Sequence, residues 1–259
     1  MENRTQAQVI EVFHLLFLRV LAVGRPDWFI LKGGANIRYF FDSPRYSNDI
    51  DLDFAGRKAW QVGDAVDKIL AGRPLATLLQ QARVELVERS APKQTDTTRR
   101  WKVGLGAPGH TDLIRTKIEF SDRDGASDDI AVAAVPDSVV GPYGLPAPTV
   151  QHYGETAAIE QKIAALALRS QTKARDVFDL ELLLRRRNAS GADRPELSPE
   201  HSMQAANRAL EISFDSYTSE VAPFLDADIA SLYDEAEWDR MRELVATSLE
   251  EIATKGGLR

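Results

Sequence analysis

Two hydrophobic periods divide this chain. Over residues 9–23 (VIEVFHLLFLRVLAV) the apolar positions are nearly continuous, which predicts a buried helix from Thr5 to about Val23, closed by the Gly24–Pro26 stretch. Trp28-Phe29-Ile30-Leu31 reads as a short buried strand. Gly33-Gly34 follow, then a helical segment from Ala35 to about Phe41 and a turn across Asp42–Asn48 that contains Pro44. Asp49 to Phe54 alternates strictly, with Asp49, Asp51 and Asp53 on one face and Ile50, Leu52 and Phe54 on the other. Residues 58–82 carry one helical pattern, and 84–90, 99–105, 113–121 and 130–135 are strand candidates, several of them joined as hairpins. Residues 136–149 hold four prolines and two glycines and read as a connector. Beyond them the pattern is helical: about 153–169, 174–187, 200–212 and 236–254. Ser198-Pro199-Glu200 is a helix start, with a capping serine and proline at the first helical position, and Gly256-Gly257 is a natural stop. The expected organisation is a mixed α/β domain over 1–148 and a helical domain over 149–259, without internal repeats.

Composition narrows the class. The chain has 259 residues, 44 % hydrophobic and 27 % charged, as a soluble globular protein does. The 9–23 run is interrupted by Glu11, His14 and Arg19, is shorter than the ~20 residues that span a bilayer, and is not followed by a small-residue cleavage site; it reads as a core helix, not a leader or membrane span. There is no cysteine, which excludes disulfides, thiolate metal sites and a cysteine nucleophile and fits a reducing cytosol. The net charge of −7 argues against a uniformly basic nucleic-acid coat, but its distribution is uneven: +2 over 1–187 and −9 over 188–259.

Several local patterns carry no chemistry. Gly104-Leu105-Gly106-Ala107-Pro108-Gly109 matches GxGxxG in form, but Pro108, Gly109 and a following strand leave no helix for a pyrophosphate to face, so it reads as a hairpin loop. Asp122-Arg123-Asp124-Gly125 lacks the glycine and glutamate spacing of a calcium loop and reads as a tight Asp-Gly turn. His14, His110, His152 and His201 lack metal-ligand spacing. Arg185-Arg186-Arg187 suits a helix C-terminus, and Arg99-Arg100 beside Trp101 suits a hairpin surface, with RNA contact as the alternative for both.

The informative stretch is FILKGGANIRYFFDSPRYSNDIDLDF, residues 29–54. A buried strand runs into Gly33-Gly34, whose backbone N–H groups at a helix start form an anion site suited to phosphates. The returning strand presents Asp49 and Asp51 at i and i+2, about 6–7 Å apart at their bases from a ~3.3 Å rise per residue. Like charges held so close call for a cation, and hard oxygen ligands of this kind suit Mg²⁺ shared with substrate phosphates. In the strand 113–121, Arg115, Lys117, Glu119 and Ser121 share a face; Glu119 is the candidate third carboxylate and Lys117 a candidate neutralising charge. Further on, Lys162, Ala165 and Arg169 share a helical face, with Lys162 in unusually apolar company, and Asp176 and Asp179 stack at i, i+3 near the start of the next helix.

Taken together, Lys32-Gly33-Gly34 … Arg45-x-Ser47-x-Asp49-x-Asp51, Lys162-x-x-Ala165 … Arg169 and Arg175-Asp176-x-x-Asp179-Leu180 resemble the nucleotidyltransferase toxins of the AbiEii/AbiGii type, within the polymerase-beta-like nucleotidyltransferase superfamily, over about residues 28–184. Fourteen residues separate Gly34 from Asp49, longer than in the wider superfamily and compatible with this toxin branch. The resemblance implies an α+β fold: a polymerase-beta-like nucleotidyltransferase domain with a mixed sheet, followed by a C-terminal helical bundle. It implies a cytoplasmic toxin of a type IV toxin–antitoxin or phage-defence pair that binds an NTP with Mg²⁺, has a cognate antitoxin and no membrane partner, and transfers NMP to an acceptor hydroxyl. In some relatives that acceptor is the 3′ end of tRNA. In this assignment Asp49 and Asp51 hold Mg²⁺, with Glu119 as the third ligand. Gly33, Gly34 and Ser47 bind phosphate oxygens, Lys162 pairs with the triphosphate, and Asp176 orients Lys162 or a water. Two other readings stand beside it: an antibiotic nucleotidyltransferase, and an inactive NTP-binding or interaction module whose acidic tail meets a basic partner.

Overall fold

The computed structural model of the chain describes residues 3–54, 56–122, 127–190 and 198–256. The expected Asp124-Gly125 turn, and Gly257 of the expected helix stop, lie outside these residues. The chain forms two compact units, one of Met1–Phe40 and Tyr46–Tyr153, the other of Phe41–Arg45 and Gly154–Arg259.

The first unit opens with α1 (Gln6–Ala22). Thr5 and Gln8 close its N-terminus reciprocally, each side chain accepting from the other's backbone N–H. The helix is buried on nearly every side, which is why its sequence shows no polar face. β1 (Phe29–Lys32) leads without a break into α2 (Gly33–Phe40), and β2 (Asp49–Phe54) returns beside β1. The single helical pattern over 58–82 resolves into α3 (Ala59–Leu70) and α4 (Arg73–Gln81). The break falls at Gly72, with proline in the first turn of α4, because proline supplies no N–H to continue the first helix and suits the start of a second.

Four strands follow: β3 (Glu85–Gln94), β4 (Thr98–Gly106), β5 (Ile114–Ser121) and β6 (Ile130–Ala134). No helix opens after Gly106, in keeping with the rejected dinucleotide motif. The proline-rich stretch carries a short helix, α5 (Asp137–Val140), whose Val139 and Val140 are buried in the unit's core. Thr149–Tyr153, which the sequence pattern leaves in the helical part, is instead a strand, β7.

The sheet is mixed, in the order β3-β4-β5-β2-β1-β7-β6. β1 runs antiparallel to β2 and parallel to β7, while β2 runs parallel to β5. One face carries Ile50, Leu52, Trp101, Val103, Ile118 and Phe120, which share a buried core with α1, α3 and α4. Each such side chain, fully buried, contributes roughly 1.5–3 kcal/mol. The opposite face of β2, β4 and β5 carries the charged positions.

The second unit is helical: α6 (Glu155–Leu168), α7 (Ala174–Ser190), α8 (Pro199–Leu210), α9 (Phe214–Glu220), the short α10 (Ala227–Ala230) and α11 (Glu235–Gly256). Ser198 caps α8 by accepting from His201 N–H, with Pro199 in the first position, as its sequence predicts. Trp238 on α11 is buried and donates its indole N–H to the Ile212 carbonyl at 3.1 Å.

Candidate active site

In the first unit, the registers of β1, β2 and β5 assemble the charged cluster. Lys32 faces Asp51 across β1–β2, while Asp49 faces Lys117 and Asp51 faces Glu119 across β2–β5. Gly33, where β1 becomes α2, has φ +68°, a conformation that glycine adopts without strain. A Cβ there would lie 3.0 Å from Asp51 Oδ2. The structure thus brings the Asp51 carboxylate onto the glycine bend, at the helix end where the first backbone N–H groups have no intrahelical partner.

The neighbours of each carboxylate differ. Lys117 Nζ lies 2.9 Å from Asp49 Oδ2. Asp53 is buried and taken up by Lys32 and by the Tyr153 hydroxyl, which donates at 2.9 Å. Asp51 is only half-buried, and its carboxyl is pushed above the usual carboxylate range by burial and by the adjacent Asp49 charge, with Lys117 and Lys32 opposing. This crowding is the feature that a bound cation would relieve. Glu119 is the register neighbour of Asp51, but its carboxylate turns to Arg100, whose Nε donates at 2.5 Å. The expected trio of Asp49, Asp51 and Glu119 therefore does not close: among the described residues no group of three His, Asp or Glu is placed to hold a metal ion. Asp49 and Asp51 remain a pair of hard oxygen donors of the kind Mg²⁺ takes.

Ser47 donates its hydroxyl to the Asp49 carbonyl at 2.7 Å and so anchors the start of β2; in this rotamer the hydroxyl hydrogen is not offered to a phosphate. A second brace holds the same point. Thr116 donates to the Asn48 carbonyl at 2.7 Å, and His14 Nε2 lies 2.8 Å from the Thr116 hydroxyl. Since that hydroxyl's hydrogen is committed to Asn48, His14 must donate from Nε2, which leaves Nδ1 bare and without a partner. Burial pushes the His14 imidazole down to about 3.

In the second unit, α6 and α7 build a buried ion network. Lys162 is 7 % exposed, and its Nζ lies 3.0 Å from Asp176 Oδ1 and 2.6 Å from Asp179 Oδ2. Arg169 reaches Asp176 Oδ2 at 2.6 Å. Arg45 grips Asp179 through Nε at 3.1 Å and through a second nitrogen at 2.8 Å. Both aspartates are fully buried. Burial pushes the Asp179 carboxyl up, but Arg45 and Lys162 outweigh it and hold it below the ordinary value. Asp176 sits in the first turn of α7, where the helix dipole favours negative charge. The expected Lys162–Asp176 contact is present. Arg45 and Asp179 are as central: Asp179 is legible as the i+3 partner of Asp176, whereas Arg45 is visible only as a member of the family pattern, since it sits in a turn, 134 residues from its partner.

A mixed sheet that seats the Asp51 carboxylate, with Asp49 two residues before it on the same strand, against a glycine-opened helix end offers a place for an anion beside hard oxygen donors. The model of the AbiEii nucleotidyl transferase toxin family, of type IV toxin–antitoxin systems, matches residues 15–253, and the chain belongs to that family and is a nucleotidyltransferase. Two solved structures from Helicobacter pylori share its fold. JHP933 is 20 % identical with a TM-score of 0.58, over 99 % of this chain and 97 % of that one. A second protein, named for a nucleotidyltransferase, is 18 % identical with a TM-score of 0.62, over 97 % and 98 %. No curated protein matches the chain. Among the described residues no helix is long and apolar enough to cross a membrane.

Proposed function

We propose that this chain transfers NMP from an NTP to the 3′-terminal hydroxyl of a tRNA, and that growth inhibition follows from the modified end. A cognate antitoxin is part of the same proposal. The reading rests on one observation above the rest, the seating of the Asp51 carboxylate beside Asp49 and against the backbone of Gly33.

In this reading the acceptor oxygen attacks the α-phosphorus in line, the bond to the β-phosphate oxygen breaks, and pyrophosphate leaves with the proton passing to solvent. Mg²⁺ bound by Asp49 and Asp51 would supply Lewis-acid activation and charge neutralisation. The N–H groups of Gly33 and Gly34 receive phosphate oxygens. Ser47 first holds the Asp49 backbone and reaches a phosphate only if its hydroxyl turns. In the second unit Lys162 is held by Asp176 and Asp179, and its expected charge on the triphosphate, with Asp176 orienting it, rests on the family resemblance alone. The catalytic work is positioning and electrostatics.

The test is incubation of the protein with total tRNA, Mg²⁺ and each of the four α-labelled NTPs. Label in tRNA with at least one NTP, lost in Asp51→Asn, supports the reading. Wild-type transfer by Asp51→Asn overturns the metal assignment, and label in no RNA overturns the acceptor.

A further inference from the structure

The charged face of the sheet extends well beyond the carboxylates. Through the β2–β5, β5–β4 and β4–β3 registers, one row runs Asp49–Lys117–Lys102–Ser90 and the next runs Asp51–Glu119–Arg100–Lys93. At 4.7–4.9 Å per strand, cations stand about 5, 10 and 14 Å from β2. Arg115 lies on the same face of β5, its side chain 70 % exposed and paired with Glu88 at 3.1 Å. Lys93 and Lys102 are exposed and make no ion pair among the described residues. On this face Lys117 pairs with Asp49, Arg100 with Glu119 and Arg115 with Glu88, so five cations stand against the carboxylates of Asp49, Asp51, Glu88 and Glu119. The uncommitted charge is that of Lys93 and Lys102, in a chain whose net charge is −7.

We infer that this band, Lys93, Arg100, Lys102, Arg115 and Lys117, is the docking track for the acceptor's nucleic-acid strand, leading its terminal hydroxyl toward Asp49 and Asp51. The inference rests on the transferase reading above and adds the surface that holds the acceptor. Charge complementarity carries it. A polyanionic strand presents phosphates at regular intervals, and a row of spaced cations neutralises several at once. Cations on the outer edge alone would be explained as protection of an exposed strand, for which lysine and proline are the usual devices. Here they continue inward over three strands. An acidic protein fits less well, since protein interfaces centre on apolar and aromatic anchors and exclude charge from their cores. The track positions are charged or hydroxylated, and Trp101 turns to the other face, where it is buried and donates to Asp67 at 2.8 Å. Arg99 also turns to that face, beside Gly63 and Gln94, so two adjacent arginines have opposite expectations.

The experiment is fluorescence anisotropy of the full-length protein with a fluorescein-labelled 12-nucleotide single-stranded RNA across a salt series. Lys93→Ala/Lys102→Ala should weaken binding about tenfold at low salt and reduce the log–log salt slope by about 0.7 for each lysine removed. Arg99→Ala should bind as the unaltered protein does. The track is overturned by absent RNA binding, by an unchanged double variant, by an equal loss in Arg99→Ala, or by displacement of the RNA by poly-glutamate at equal concentration. A thermal shift of the unaltered protein with Mg²⁺ and each NTP tests the transferase reading separately. RNA binding without any NTP shift sinks that reading and leaves the band as an RNA-binding surface only, whereas an NTP shift with an unchanged double variant overturns the track and leaves the transferase reading. Loss of the NTP shift in the double variant would assign the lysines to the nucleotide and also overturn the track.

Discussion

The carboxylate of Asp51 lies so close to the backbone of Gly33 that a Cβ at position 33 would stand 3.0 Å from Asp51 Oδ2. The same glycine has φ +68°, so two independent features weigh against a side chain there. Gly33→Ala should lower stability by about 1–2 kcal/mol from the left-handed backbone alone. It should lower nucleotide transfer further, because the displaced carboxylate is the one beside Asp49. Chemical denaturation and labelled-NTP incorporation measure the two effects. Full transfer by a destabilised Gly33→Ala would show that the close approach serves folding only.

The glycine and the acid pair were legible because each leaves a mark within a few residues: a Gly-Gly at the end of an apolar strand, and a strict alternation over Asp49–Phe54. Alternation also assigns Glu119 to the right face. It does not say which neighbour the side chain turns to, and here Arg100 on β4 captures it. β7 was missed because Thr149–Tyr153 is five residues long, follows prolines and mixes polar with apolar positions. It is a strand because β1 and β6 supply partners on both sides. Arg45 could not be aimed at Asp179 from periodicity, since it lies in a turn and belongs to no repeating pattern.

That arginine belongs to a network whose two carboxylates are not equivalent to its cations. Asp179 serves both Arg45 and Lys162, whereas loss of Arg45 leaves Asp179 with Lys162. Asp179→Ala leaves three cations with Asp176 as the network's carboxylate and should cost about 3–5 kcal/mol, as breaking buried pairs does. Arg45→Met, which fills similar volume, should cost distinctly less. Urea unfolding of both variants decides it; equal losses would mean that the lysine does not compensate.

His14 sets an acid limit on the fold. Its folded-state pKa is depressed to about 3, against about 6.5 in the unfolded chain. Below pH 6.5 the unfolded chain binds a proton that the folded chain refuses, so stability is full above that pH and falls as pH drops, until about 3. The slope is at most about 1.4 kcal/mol per pH unit. Between pH 6.5 and 5, above the range of ordinary carboxylates, His14→Leu should flatten this slope. A slope unchanged by the substitution would place the proton uptake elsewhere.

Asp51 should behave in the opposite sense to Asp179. Its carboxyl is raised by burial and by Asp49, so the unfolded chain loses its proton at lower pH than the folded one does. Ionisation of Asp51 therefore weighs against folding, and that penalty grows as pH rises from the unfolded value through the folded one. Asp51→Asn removes the charge while keeping the shape. At pH 7 it should raise the melting temperature while lowering transfer on the order of 100-fold or more, the scale set by loss of a key electrostatic group. Mg²⁺ should stabilise the unaltered protein more than this variant, since a cation at Asp49 and Asp51 offsets the same repulsion. Melting curves with and without Mg²⁺, run beside the transfer assay, measure all three quantities. A variant that is less stable and still responds fully to Mg²⁺ would mean that Asp51 is a structural acid and that the metal binds at another place.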